Sequence, residues 1–329
     1  MIGQVARHGF FITWAKFLRP VIVFSYLIDY KIWQLNPFGF HLTNILFHGL
    51  NGMLLFLLIK QYLTLLNFLR PSLYAFLSAA LFLVLPCHTE SVSWIAGRTD
   101  VLAMTFSLGA TLCFVQMLTR RSKAIVISFF CFFAIALLSK EAALALPGVW
   151  VIFMAAYLAI RRESPTRHHV LMVIGIVVGL FVYFLLRKAV IGQFIGGYGT
   201  KFHINLLQVG IINHALKYIL RSVLPALPPA TERLFHSPLS YLTSGMGIFI
   251  IGYFLYRVRK KLASPEGLLF GACVLCFLIS LVPVLTISIN LFSTESERFL
   301  YLPSAFSAVA SVLAVFLFFS SQRAAVAAI

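Results

Sequence analysis

Long apolar runs separated by short polar connections set the pattern of this 329-residue chain. A helix needs roughly 20 apolar residues to cross a bilayer, and about nine stretches approach that length. The predicted spans are Phe38–Ile59, Leu73–Leu85, Val101–Leu118, Ala124–Leu138, Ala142–Ile160, Val170–Leu186, Tyr241–Tyr256, Leu268–Leu285 and Leu302–Phe319. The pattern therefore predicts an all-α polytopic membrane helix bundle with outer-face loops.

The predicted spans divide the chain into four parts. Residues 1–36 form an outer-face interfacial segment, 37–187 the first group of transmembrane helices, 188–240 an outer loop, and 241–329 the C-terminal transmembrane helices. In the outer loop, the polar residues of Ile204–Leu224 lie largely on one side of a helix. This pattern is typical of an amphipathic helix at the membrane interface rather than of a further span.

Composition supports a membrane protein, because 61% of the residues are hydrophobic and only 11% are charged. Soluble domains carry about 25% charged residues. The net charge of +17 would suggest nucleic acid as the partner of a soluble protein. Here the basic residues flank apolar spans, so membrane topology and anionic lipid account for most of them, and no nucleic-acid partner is expected.

Three basic turns predict the orientation of the bundle. They lie at Arg120–Lys123, Arg161–Arg167 and Arg257–Lys261, and alternation through the predicted spans puts all three on one side. The positive-inside rule makes that side cytoplasmic. The connections that carry most of the acidic residues then share the opposite, outward face.

The most informative connection is a polar island at Pro86–Asp100, between two uncharged apolar runs. It contains His88, Glu90, Arg98 and Asp100. Charges at the mouth of a membrane bundle are costly to desolvate and usually mark a functional site. We therefore expect these four residues to form the catalytic group.

Further charges are predicted on the same face. They are Lys140 with Glu141, and Arg298 with Glu295 and Glu297. Cations gathered with carboxylates beside the bilayer suit a phosphate whose hydrocarbon tail lies in the membrane, because arginine offers a fork to phosphate oxygens and lysine a point charge. In the alternative interpretation, sequence neighbours form salt bridges that tie loops to helix ends, namely Arg98–Asp100, Lys140–Glu141 and Glu297–Arg298.

One face of the first predicted span is polar, because His41, Asn44, His48 and Asn51 recur at helical spacing. Interhelical hydrogen bonding is the favoured interpretation, and the alternative is that His41 helps to line the site. The histidine spacing fits zinc poorly. The sequence contains no P-loop and no Gly-rich dinucleotide motif, which favours a donor that arrives in the membrane, a polyprenyl-phosphate sugar.

Several motifs together resemble one membrane family across essentially the whole chain. They are Arg19-Pro20, then Asn36-Pro37-x-Gly39-x-His41-x-x-Asn44-x-x-x-His48-x-x-Asn51, then His88-Thr89-Glu90 followed by Gly97-Arg98-Thr99-Asp100, then Ser139-Lys140-Glu141 with Leu146-Pro147, and last Glu297-Arg298-Phe299-Leu300-Tyr301-Leu302-Pro303-Ser304. The set resembles the transmembrane-and-TPR-containing O-mannosyltransferases and their bacterial relatives. The resemblance implies the glycosyltransferase C superfamily, whose members move a sugar from a polyprenyl phosphate to a protein or glycan acceptor outside the cytoplasm. Mannose is the candidate sugar by the same resemblance.

The resemblance also implies an acidic pair in the first outer loop, upstream of Arg19-Pro20, with one carboxylate as the general base. Residues 1–18 contain no Asp or Glu. We therefore expect an N-terminally shortened member that lacks the usual catalytic acids. The implied location is a multi-pass integral membrane protein, with a bacterial inner membrane expected and the site facing outward.

Roles follow from the same resemblance and from the chemistry of the side chains. Lys140 and Arg298 are expected to bind the donor phosphate, with Arg98 third and His88 as a further donor. Glu90 and Asp100 would orient these cations, bind sugar hydroxyls or help to hold a divalent cation, the one cofactor that remains an open alternative. The supporting residues are Glu141, Glu297, Tyr301 and His41.

Two other function classes remain. A transporter or flippase of lipid-linked or anionic solutes would also bind anions, but transporters tend to have internal repeats and ionisable groups at mid-membrane. Here the charges lie at the outer rim and no internal repeat is visible, which favours the enzyme. The third alternative is a non-catalytic membrane fragment.

Overall fold

A computed structural model describes residues 17–194, 217–222, 252–254, 256–284 and 294–326. These residues fold almost entirely into helices, which confirms the predicted all-α membrane bundle. The helices are α1 Pro20–Trp33, α2 Pro37–Leu65, α3 Pro71–Val84, α4 Thr89–Ser93, α5 Arg98–Met117, α6 Lys123–Leu137, α7 Leu146–Arg161, α8 Arg167–Ile191, α9 Pro265–Leu281 and α10 Tyr301–Val326.

Six helical stretches of the described part are long and apolar enough to cross a membrane. They are Pro37–Leu65, Ile95–Met117, Glu141–Arg161, Arg167–Ile191, Pro265–Val284 and Glu297–Phe319. Each coincides with one of the predicted spans. The total of nine stays a prediction, since the predicted span Tyr241–Tyr256 lies mostly outside the described residues.

The two remaining predicted spans differ from regular membrane-length helices. The run Leu73–Leu85 ends at a break, where α3 and the segment Pro86–Ser93 meet at 57°. Proline lacks a backbone N–H and disfavours helical backbone at the residue before it, and Leu85 is accordingly extended, with ψ 126°. The other run, Ala124–Leu138, forms α6, which has only 15 residues.

Local signals set the helix starts. Proline occupies the first turn of α1, α2, α3, α7 and α9, where its missing N–H has no helical partner to lose. Asn36 caps α2, because its side-chain oxygen accepts the N–H of Phe38 at 3.1 Å. Ser264 caps α9 in the same way, accepting the N–H of Gly267 at 3.2 Å. These caps satisfy donors that would otherwise be unpaired at the membrane boundary.

An aromatic core joins α5, α6 and α7. The Trp150 ring centroid lies 4.7 Å from that of Phe129, 4.8 Å from Phe133 and 5.7 Å from Phe114. The indole N–H of Trp150 donates to the hydroxyl of Thr111 at 3.1 Å. Dense ring packing and a satisfied buried donor together hold the three helices in fixed positions.

The connections gather at two ends of the bundle. At one end, His168 hydrogen-bonds the Met117 carbonyl at 2.8 Å, which places the connection after α7 beside the connection after α5. We call this the basic end, after residues 118–123 and 161–167. The polar island and the turns before α7 and α10 meet at the other end, which we call the site end. This arrangement agrees with the alternation expected from the sequence.

Candidate functional site

The polar island folds back on itself as two short 3-10 turns around α4. A Cβ atom added at Gly97 would lie 2.3 Å from the Ser91 carbonyl oxygen, so only glycine fits this close backbone contact. Asn44 of α2 donates from its side chain to the carbonyl of Trp94 at 3.1 Å. The island is therefore held over the start of α2.

Arg98 lies at the centre of this packing and is fully buried. Its guanidinium pairs with Asp29 of α1 at 2.5 Å and donates to the Asn44 side chain at 3.0 Å and the Phe40 carbonyl at 2.8 Å. It also lies over the Tyr26 ring, 4.7 Å from the centroid. Through these contacts, Arg98 of α5 joins α5 to α1 and α2.

Lys140 precedes α7 and forms a buried ion pair with Asp100 of α5. Thr99 donates its hydroxyl to the second carboxylate oxygen of Asp100 at 3.2 Å. Burial lowers the pKa of Lys140, and the Asp100 carboxylate opposes that shift. The positive charges of Arg19 and Arg298 lower the pKa further. Lys140 and Arg298 lie over the same Phe299 ring, 5.3 and 5.2 Å from its centroid, so cations from distant parts of the chain lie close together.

Arg19 belongs to the Arg19-Pro20 motif, and the structure adds it to the site. Its guanidinium donates twice to one carboxylate oxygen of Glu141, at 3.1 and 2.6 Å. Arg187 of α8 contacts the other oxygen at 3.4 Å. Glu141 thereby connects the start of α1 to the end of α8. The available signal was the Arg19-Pro20 motif itself, which says nothing about the partner.

Arg298 lies in the 3-10 turn Glu297–Leu300 that leads into α10. Its guanidinium is 3.6 Å from the Glu90 carboxylate, and its backbone N–H donates to the same carboxylate at 3.0 Å. The side chain is 21% exposed, and its Nε has no hydrogen-bond partner in the described residues. Arg298 therefore has an unused hydrogen-bond donor, whereas the Arg98 guanidinium is bound by Asp29, Asn44 and the Phe40 carbonyl.

The sequence-neighbour salt bridges considered as an alternative do not form. Among the described residues, ion pairs of the site end include Arg98–Asp29, Lys140–Asp100, Arg19–Glu141, Arg187–Glu141, Arg298–Glu90 and Arg221–Glu297. Residues one or two apart on a helix do not face each other, so each acid in these pairs meets a cation from another element.

The buried pair of Arg221 with Glu297 reaches the predicted outer loop. Residues 217–221 are helical, within the predicted amphipathic helix Ile204–Leu224. The other residues of that prediction lie outside the described part of the chain. The described turn of the loop thus contacts the segment that carries Arg298.

Interhelical hydrogen bonds use the polar face of α2, as expected. His48 bonds the Tyr301 hydroxyl at 2.7 Å, and Asn51 donates to the Val101 carbonyl at 2.8 Å. His88, also buried, bonds Ser304 at 2.7 Å.

These bonds fix the start of α10 behind Arg298, so Tyr301 and His88 support the site from within. His41 lies half-buried near the start of α2, and its role stays a prediction.

Metal binding has no support in the described ranges, where no three His, Cys, Asp or Glu side chains converge on a point. The divalent cation stays a prediction. Cys273 and Cys276 are buried free thiols in α9.

The fold and site define a class of protein, a helical membrane bundle with a cation-rich cluster at one end. Known proteins then specify it further. The chain is 35% identical over 101 residues to protein O-mannosyl-transferase F38B6.6 of Caenorhabditis elegans, covering 31% of this chain and 14% of that protein. It is 36% identical over 128 residues to protein O-mannosyl-transferase Tmtc1 of Drosophila melanogaster, covering 38% and 14%. It is 34% identical over 107 residues to human protein O-mannosyl-transferase TMTC2, covering 32% and 12%.

These matches confirm the resemblance seen in the motifs, and they cover 31–38% of this chain. The matched stretches span less than a sixth of the length of these relatives, at 12–14%. No family model matches the chain, and no solved structure does.

Proposed function

We propose that this protein is a membrane glycosyltransferase that moves a sugar from a polyprenyl-phosphate donor to an acceptor hydroxyl. The observation that carries the proposal is the convergence of three cations at the site end, where Lys140 and Arg298 lie over the same Phe299 ring, Arg19 pairs with Glu141 beside Lys140, and Arg298 is part-exposed and incompletely bonded. The similarity to protein O-mannosyl-transferases favours mannose as the sugar and a protein as the acceptor.

The donor phosphate would contact Arg298 first. Its present partner, Glu90, lies 3.6 Å away and is 17% exposed, so the guanidinium is held more loosely than in a close buried pair, and a phosphate can compete for it. Lys140 would add a point charge from behind, in a buried environment where charge interactions are strong. Arg19 would complete the cluster from the α1 side.

The cations and carboxylates of the site have different roles in the proposed reaction. The acceptor oxygen forms a bond to the anomeric carbon while the bond from that carbon to the phosphate oxygen breaks, and the acceptor proton passes to a base. The cations stabilise the negative charge that grows on the departing phosphate. Asp29 is a poor base, because it is buried against Arg98. Glu90 is the carboxylate beside Arg298 that solvent can reach.

The location of this chemistry is part of the proposal. The site end faces away from the cytoplasm in this proposal, because the basic end carries most of the exposed lysines and arginines of the described residues. A bacterial inner membrane suits this arrangement. The lipid tail of the donor would then lie in the bilayer beside the bundle, with its phosphate at the rim.

The test measures binding of a polyprenyl-phosphate sugar by the purified protein in nanodiscs. Arg298→Ala and Lys140→Gln should each weaken binding by about 1.5–3 kcal/mol, the usual contribution of a hydrogen bond to a charged group. Lys60→Ala is the matched control, because Lys60 is an exposed cation elsewhere on α2. Equal affinities for all three variants would remove the site assignment.

Sugar transfer must be followed separately from binding. A labelled sugar should move to an acceptor in the presence of the donor. Binding without transfer, accompanied by movement of the donor across a sealed vesicle, would instead identify a flippase.

A further inference from the structure

The basic end carries two turns that lie side by side. The first contains Arg120, Arg121 and Lys123, and the second contains Arg161, Arg162 and Arg167. They are brought together by the 2.8 Å hydrogen bond from His168 to the Met117 carbonyl. All six cations are exposed. We call these six residues the basic patch.

Acidic residues do not neutralise this patch. Glu163 is the one acid in the two turns, and it lies 3.5 Å from Arg161 while accepting a hydrogen bond from the Tyr157 hydroxyl at 2.9 Å. The described residues place no ion-pair partner on the other five cations. The patch therefore carries a net charge of about +5, six cations minus one acid, held in one small area.

Apolar surface adjoins the basic patch. On α8, one turn and more beyond Arg167, Val170, Leu171 and Ile174 are 52–55% exposed, and Ile127 of α6 is 63% exposed. Both helices begin at the patch and run into the apolar part of the bundle. A ligand here would meet cations at one end and hydrocarbon at the other.

Helix packing shapes the space between α6 and α8. Gly175 and Gly179 of α8 both lie against the ring of Phe130 of α6, and a Cβ atom added at either glycine would lie only 3.3 Å from that ring. Two glycines one turn apart let the helices approach closely at that level. Nearer the patch, both helices have exposed apolar side chains, Ile127 on α6 and Val170, Leu171 and Ile174 on α8.

We propose that the basic patch, with the adjoining faces of α6 and α8, binds the headgroup and acyl chains of an anionic phospholipid. Charge complementarity selects a phosphate-bearing headgroup, and the apolar faces select a lipid over a free phosphate or a nucleic acid. The inference is independent of the proposed sugar transfer, because the patch lies at the opposite end from the site.

The test compares the full protein in phosphatidylcholine nanodiscs with and without phosphatidylglycerol. Retained lipid is counted by native mass spectrometry, and stability is measured by thermal unfolding. Two double variants remove two charges each from the patch, Arg120→Gln/Arg121→Gln and Arg162→Gln/Arg167→Gln. Each should weaken phosphatidylglycerol binding by about 25-fold, because every charge lost near an anionic membrane surface lowers the affinity about fivefold.

The control is the pair Lys60→Gln/Arg70→Gln, which removes two exposed cations outside the patch. It should retain lipid as the unaltered protein does. Equal loss in the control and patch variants would show a diffuse field rather than a site, and full retention in the patch variants would refute the proposal. An equal stabilisation by inorganic phosphate in neutral nanodiscs would overturn the lipid assignment.

Discussion

Removing the Arg98 side chain should destabilise the fold rather than only weaken ligand binding. Arg98 is fully buried and pairs with Asp29 at 2.5 Å, while its Nε donates to Asn44 at 3.0 Å. Arg98→Met keeps much of the volume but leaves a buried carboxylate without its cation. Breaking a buried pair in this way costs about 3–5 kcal/mol, so we expect a loss of that size in the free energy of unfolding.

A double-mutant cycle isolates the pair. The free energy of unfolding is measured in detergent micelles for Arg98→Met, Asp29→Asn and the double variant. The double variant should lose less than the two single losses combined, with a coupling of about 0.5–3 kcal/mol for residues in contact. Arg298→Met serves as the comparison, because that side chain is 21% exposed and should lose at most about 1 kcal/mol.

One result would refute this assignment. If Arg98→Met unfolds like the unaltered protein yet no longer binds the polyprenyl-phosphate donor, Arg98 contacts the ligand and the buried ion pair does not define its role. The expected pattern is the reverse, with donor binding retained in the folded Arg98 variant and lost in the Arg298 variant.

Two further predictions concern the island and the topology. Gly97→Ala should destabilise the protein, because its methyl group would lie 2.3 Å from the backbone oxygen of Ser91. The control Gly49→Ala, in open space on α2, should be neutral or stabilising by up to about 1 kcal/mol. Equal melting temperatures of the two variants would contradict this packing. Cysteines placed at the exposed positions Thr89 and Thr119 should label from opposite sides of sealed vesicles, and labelling of both from one side would exclude the proposed orientation.

The relation between the sequence and the candidate site is clearest at the two arginines. From the sequence, Arg98 and Arg298 are equivalent cations beside acidic neighbours. The structure buries Arg98 against Asp29, more than 60 positions earlier in the chain, and leaves Arg298 part-exposed beside Glu90. Arg19 shows the same point, since only folding brings it to Glu141. Ion-pair partners depend on how helices pack, and local pattern does not encode that packing.

Contiguous residues were sufficient to predict the class of fold, most of the spans and the family resemblance, because apolar length, helical spacing, caps and motifs are local properties of the chain. They also predicted interhelical bonding by His48 and Asn51, since polar groups in an apolar span need partners. Helix packing in three dimensions selected which partners those residues take, how the polar island folds back after α3, and which cations remain available for a ligand. Neighbouring residues on a helix point in different directions, so the buried charges of the site end, such as Arg98 and Lys140, are paired by the distant elements that pack against them.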